Sequence, residues 1–250
     1  MQIRKFLVAL TALAGMAIAM PQAVQANVII NGTRLIYPAQ NQEITVRTEN
    51  PGGTPALVQV WVDEGDPAIR AEESQAPFVV TPPLIRLEGN SGQTFRVIFV
   101  PGDTQLPQDR ESLFYFNLLD IPPMPQEAEA ASYMQLAYRT RLKLFYRPVG
   151  LPGNAREAAG QLQWSFAQVD GKPALQIHNP SAYHVSFNGI TLDTDNRQYR
   201  IEGDMIAPGA TSSLPIPGLS GQLPSQAARV DFNWINDFGA LIQNSSPVRP

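Results

Sequence analysis

Cysteine is absent from the 250 residues, and histidine occurs only at His178 and His184. Without cysteine there is no disulfide framework and no thiolate site, and two histidines are few for any usual zinc ligand set. No glycine-rich phosphate loop occurs. Gly218-Leu219-Ser220-Gly221 comes near the G-x-S-x-G nucleophile elbow and fails it. Composition leaves a Ser–His–Asp triad open, but no motif announces one. Asp193-Thr194-Asp195-Asn196 begins like a calcium loop, yet lacks the spaced glycine and the closing glutamate, so it reads as a solvated turn. His178 stands just before Asn179-Pro180, where a strand should end, and reads as structural. The carboxylates are scattered, with no pair placed for acid–base work. The expectation is a protein without catalytic residues, metal or cofactor.

Positive charge is also in short supply. Lysine and arginine number 18 against 22 acids, a formal charge of −4. That balance argues against broad nucleic-acid binding. Long apolar runs are missing too. The longest, Phe6 to Met20, falls short of the roughly 20 residues that span a bilayer. It follows Arg4 and Lys5 and leads to Val24-Gln25-Ala26, the layout of a secretory leader. Cleavage is expected after Ala26, which leaves a chain that starts at Asn27, carries a formal charge of −6 and inserts in no membrane. Such a chain would be exported to a compartment that permits disulfides while using none.

What the sequence has in abundance is short β-type runs between turn residues, with 23 prolines and 18 glycines as punctuation. The runs are Val28 to Tyr37, Glu43–Thr48, Leu57–Val62, Phe78–Val80, Thr94–Val100, Leu113–Leu119 and Met134–Tyr146. Seven runs over about 120 residues argue for a β-sandwich. Helical periodicity is hard to find, and Gln126–Ser132, behind Pro122, Pro123 and Pro125, reads as a loop. Arg147-Pro148-Val149-Gly150-Leu151-Pro152-Gly153 reads as a domain boundary. Beyond it lie Leu162–Phe166, Ala174–His178, Val185–Leu192, Tyr199–Glu202, Thr211–Leu214, Ala228–Ile235 and Leu241–Ile242. Asn188-Gly189 is a strong tight-turn signal and could divide the third of these into two strands. The expected organisation is a leader (1–26), a first sandwich domain (27–148) and a second (149–250).

The run from Tyr133 to Pro148 is the most informative. At about 3.3 Å per residue, fourteen residues reach roughly 46 Å, whereas a mean strand has about 5–6 residues. Met134, Leu136, Tyr138, Leu142 and Leu144 share one parity. Leu142 and Leu144 can pack in the domain's own core, while Met134, Leu136 and Tyr138 could lie beyond it. An exposed apolar strand invites aggregation unless it is used, and strand addition to a partner is one such use. Periodicity alone supports equally an ordinary central strand with a wholly internal apolar face.

Three segments carry a more specific resemblance. Leu106–Leu118 (LPQDRESLFYFNL), Arg141–Pro148 (RLKLFYRP) and Trp234–Ala240 (WINDFGA) resemble the periplasmic pilus chaperones, the PapD-like family, along nearly the whole mature chain. The resemblance implies an all-β protein of two immunoglobulin-like sandwiches set in an L. It implies partners too: pilus subunits that borrow a β-strand, and an outer-membrane usher that receives them. On the family pattern, Arg34 and Lys143 match the anchor for a subunit's C-terminal carboxylate. Met134, Leu136 and Tyr138 match the strand that fills the subunit groove, with tyrosine at 138 where smaller aliphatics are common. Glu111, Arg147 and Asp237 match an ion network between the domains. The Asp120–Ser132 loop is short and lacks flanking cysteines, as in the family's short-loop group. The competing reading is a secreted immunoglobulin-like adhesin or fibre component. Capping of the exposed strand by a second copy of the chain is one further way to cover it.

Overall fold

The structure, a computed structural model, describes residues 28–102, 105–124, 134–219 and 228–249. The expected leader, most of the Asp120–Ser132 loop including Gln126–Ser132, and Ser220–Gly221 lie outside those residues.

The first domain has two facing sheets. One runs β1 (Ile29–Ile30), β3 (Glu43–Asn50), β7 (Ser91–Phe99), β5 (Phe78–Thr81). The other runs β2 (Arg34–Pro38), β9 (Tyr138–Arg147), β8 (Ser112–Ile121), β4 (Ala56–Asp63), β6 (Leu84–Leu87). The run Val28–Tyr37 is therefore two strands in two sheets. Gly32, at φ +134°, lets the chain cross over between them. β6 was not expected, because Pro82 and Pro83 mask its start. Alternation places the side chains: in β3 and β7, Val46, Phe95 and Val97 point inward and are almost wholly buried. Tyr37, Phe78, Phe99, Phe114 and Tyr146 form an aromatic cluster with centroids 4.6–6.4 Å apart. The buried Tyr37 hydroxyl donates to the Gln42 carbonyl (2.9 Å) and accepts from the Phe99 N–H (3.0 Å), so its polar end is satisfied.

β9 ends at Arg147, and Asn154 caps a single helical turn, α1 (Ala155–Ala158), by accepting from the Glu157 N–H. The second domain has its own core around Trp164, Phe187, Phe232, Ile190 and Leu192, separate from the first. Its sheet path is β13 (Arg197–Ile201), β12 (Val185–Thr194), β16 (Ala228–Ile235), β17 (Leu241–Arg249), β10 (Gln163–Val169), β11 (Lys172–His178), β15 (Thr211–Pro215), with β14 (Met205–Ile206) on β12. The molecule is thus all-β, with two immunoglobulin-like sandwich domains.

Three sequence expectations need correction. Asn188-Gly189 is not a turn: β12 runs through it, and the register against β16 shifts between Phe187 and Gly189, a bulge. The turn lies at Asp195-Asn196, both at positive φ, which joins β12 to β13 as a tight hairpin. β17 extends from Leu241 to Arg249, because its polar second half pairs with β16 throughout. Finally, the long run begins as a strand only at Tyr138. β8 supplies partners as far as Asp120↔Tyr138, and Met134–Ala137 have no strand partner among the described residues.

Candidate functional site

The site is built on β9 and what flanks it. β2 pairs with β9 in parallel, but only from Arg34↔Lys143 to Pro38↔Arg147. β8 pairs with β9 from Tyr138 to Tyr146. Tyr138–Leu142 are therefore paired on one side, with no strand on the other among the described residues. Leu142 and Leu144 are buried, whereas Tyr138, Leu136 and Met134 are 39%, 53% and 84% exposed. The apolar parity continues past the point where the domain has anything to cover it with.

The parallel register brings Arg34 and Lys143 side by side where the two domains meet. Arg34 donates through Nη1 to the Ile235 carbonyl of the second domain (2.8 Å), and its buried Nε has no partner. Burial pushes its guanidinium below the ordinary value, against the upward pull of Asp237, Asp204 and Glu111. Lys143 donates to Asp204 Oδ1 across the domain junction at 2.7 Å. The two cations thus share one place and are oriented by second-domain oxygens.

At the end of β9 the structure gathers Glu111, Arg147 and Asp237. Arg147 donates to Glu111 Oε1 (2.7 Å) and grips Asp237 in bidentate fashion (2.8 and 3.0 Å). Glu111 Oε2 accepts from the His184 backbone N–H (2.8 Å), and the Glu111 N–H donates to the Ala182 carbonyl (3.0 Å). Burial lowers the Arg147 guanidinium, but its contacts with Asp237 and Glu111 outweigh that and leave it above its ordinary value. Gly239 has φ +83°, and a Cβ there would lie 2.5 Å from Thr33 Oγ1, so only glycine lets this turn meet the first domain. His178 Nδ1 lies 3.0 Å from Thr211 Oγ1, in the second-domain sheet. No cluster of metal-ligating side chains occurs among the described residues, and no helix there is long and apolar enough to cross a membrane.

One cluster escaped sequence reasoning. Asp63, wholly buried at the end of β4, accepts from Arg141, Arg139 and Asn117. Arg139 stacks on Trp61 at 4.6 Å and Arg141 on Tyr115 at 3.7 Å. Desolvation alone would raise the Asp63 carboxyl, yet hydrogen bonds from Arg141, Asn117 and the Gly65 N–H hold it below its usual value. The arginines alternate with Tyr138, Thr140 and Leu142, so the cluster grips the opposite face of the same stretch of β9. A single acid closing the apolar run Leu57–Val62, together with arginines at i and i+2, was the available signal.

Comparison with known proteins gives a consistent picture. Residues 27–152 match the family described as "Pili and flagellar-assembly chaperone, PapD N-terminal domain", and residues 157–246 match "Pili assembly chaperone PapD, C-terminal domain". The chain is 42% identical over 223 residues to the probable fimbrial chaperone YadV of Escherichia coli K12, covering 88% of this chain and 89% of that protein. It is 37% identical over 231 residues to the chaperone protein FimB/FhaD of Bordetella pertussis, covering 92% and 93%. The crystal structure of YadV superposes with a TM-score of 0.76 at 40% identity, over 88% of this chain and 99% of that one. The SafB chaperone of Salmonella enterica, solved in complex with the SafA pilin, gives 0.72 at 28% identity, over 90% and 98%. With both family models matched and the two-sandwich fold in place, the chain belongs to the PapD-like family of pilus-assembly chaperones.

Proposed function

We propose that this chaperone binds unfinished fimbrial subunits by lending them β9 and the segment before it. The observation that carries the reading is the one-sided pairing of Tyr138–Leu142, continued by the exposed apolar side chains of Leu136 and Met134. A subunit that lacks its last strand would pair with the open edge of β9. Tyr138, Leu136 and Met134 would then enter its groove, where backbone hydrogen bonds supply affinity and alternate side chains supply fit. The SafB structure, with its bound pilin, supports subunit binding by a chaperone of this fold. Arg34 and Lys143 would bind the subunit's terminal carboxylate, and two cations on one anion would fix the register of the added strand. Glu111, Arg147 and Asp237 would hold the two domains in the geometry this requires.

In this reading the leader is cleaved after Ala26, the protein works in the periplasm without nucleotide or cofactor, and it hands its cargo to an outer-membrane usher. The adhesin alternative explains the sandwiches but not the coincidence of paired cations with an open strand. Co-expression with a fimbrial subunit tests the reading. Wild type should protect the subunit from proteolysis, and Arg34→Ala and Lys143→Ala should not. Protection by both variants at the wild-type level would remove the anchor. N-terminal sequencing of the exported protein should begin at Asn27.

A further inference from the structure

Asp204 differs from the other charged groups where the domains meet. It stands in the loop between β13 and β14, and its side chain is 80% exposed. Its backbone is fixed: the Asp204 carbonyl accepts the Phe187 N–H at 2.7 Å. The preceding Gly203 lies so close to the core that a Cβ would come within 2.9 Å of Ile190 and 3.2 Å of Leu214. A rigid second-domain loop thus holds out one carboxylate, and that carboxylate meets Lys143 of the first domain at 2.7 Å. Its negative charge is also felt at the Arg34 guanidinium and the Tyr115 hydroxyl. Among the described residues Asp204 is the one ion-pair partner of Lys143, and Arg34, which has no ion pair, feels Asp204 together with Asp237 and Glu111.

We propose that Asp204 is an internal stand-in for the subunit's terminal carboxylate, occupying Lys143 until a subunit displaces it. This rests on the anchor reading of Arg34 and Lys143 given above. The chemistry of the exchange is one carboxylate for another on the same ammonium, with no change in net proton count. Asp204 reaches Lys143 alone by hydrogen bond, whereas a free terminal carboxylate has two oxygens to share between Lys143 and Arg34. A pair held by one contact, with its carboxylate open to solvent, is weak, contributing a factor of about five at most. That is enough to keep a desolvated lysine paired in the free protein and too little to resist a ligand that also adds a strand. Asp204 would thereby weaken ligands that bring a carboxylate, which must displace it, and leave ligands that offer the strand alone unaffected, since these keep the pair in place.

The test uses a synthetic peptide of alternating valine and threonine with a lysine-rich solubilising head, made with a free C-terminal carboxylate and as the C-terminal amide. Each is titrated by fluorescence anisotropy against wild type, Asp204→Asn, Lys143→Met and the double variant of the full chain. Asp204→Asn should bind the acid peptide about two- to fivefold more tightly and leave amide binding unchanged. In the Lys143→Met background the same substitution should have no effect on the acid peptide. The Asp204 carboxyl 13C resonance should shift on adding the acid peptide and not the amide. If Lys143→Met weakens acid binding while Asp204→Asn leaves it unchanged or weakens it, the stand-in is overturned and the anchor survives. If wild type binds acid and amide equally, the anchor itself is overturned, and the stand-in with it. Unchanged thermal unfolding of Asp204→Asn shows that the comparison is between folded proteins.

Discussion

The two ends of β9 are made of similar residues and live in opposite surroundings. Leu144 sits where the strand is paired on both sides and is wholly buried against the first-domain core, and Leu142, the last residue of the one-sided stretch, is already buried. Tyr138 and Leu136 continue the same parity where β2 has not yet begun, and their side chains are exposed. The difference teaches that a strand's apolar stripe does not by itself define a core. The neighbours decide, and here the neighbours stop halfway. What keeps the open half extended is the other face, where Asp63 holds Arg139 and Arg141. One half of the strand is fixed by apolar burial on its inner face, the other by a charge clamp on its outer face.

Substitutions can break that comparison. Leu144→Ala removes a fully buried side chain and should cost about 2–5 kcal/mol in urea unfolding. Asp63→Asn should cost about 3 kcal/mol, because it leaves two arginines facing a buried site without their anion. It should also speed amide exchange through Tyr138–Leu142 while leaving Leu144 protected. The same carboxyl sets a pH dependence. Its folded value is depressed, so the stability it contributes is present above its unfolded value of about 4 and is lost as pH falls through the lower folded value. Wild type should therefore lose stability below about pH 4 more steeply than Asp63→Asn, as acid titrations of unfolding would record. Asp237→Ala unpairs the Arg147 fork and should cost about 1–2 kcal/mol, read as a loosened domain junction in small-angle scattering.

These effects also mark how far the sequence could be read. Both domains and most strands were legible, because inward residues such as Val46, Phe95 and Phe232 alternate cleanly with polar ones. The ion network came through the family resemblance, since nothing local in Glu111, Arg147 or Asp237 says that they meet. The start of β9 was misplaced because alternation persists through Met134–Ala137 although pairing does not, and pairing is a property of β2 and β8. Asn188-Gly189 misled for a related reason. The dipeptide allows a tight turn, but the pairing of β12 with β16 on both sides of it makes the bulge the better satisfied arrangement. The Asp63 clamp and the Lys143–Asp204 contact each join residues more than fifty positions apart, so a local pattern can mark a member but not its partner.

The smallest expected effect on stability is also the sharpest test of the difference between the two ends. Leu136→Glu places a charge on a side chain that is half exposed and has no strand partner among the described residues, so the free protein should change by less than about 0.5 kcal/mol. In a subunit groove the same glutamate would have to enter an apolar pocket without a counter-ion, a cost of several kcal/mol that it would avoid by staying unbound. Unfolding curves that superpose on wild type, together with lost protection of a co-expressed subunit, would separate the strand's two halves by function. A clear loss of stability in Leu136→Glu would instead mean that this segment belongs to the chaperone's own core.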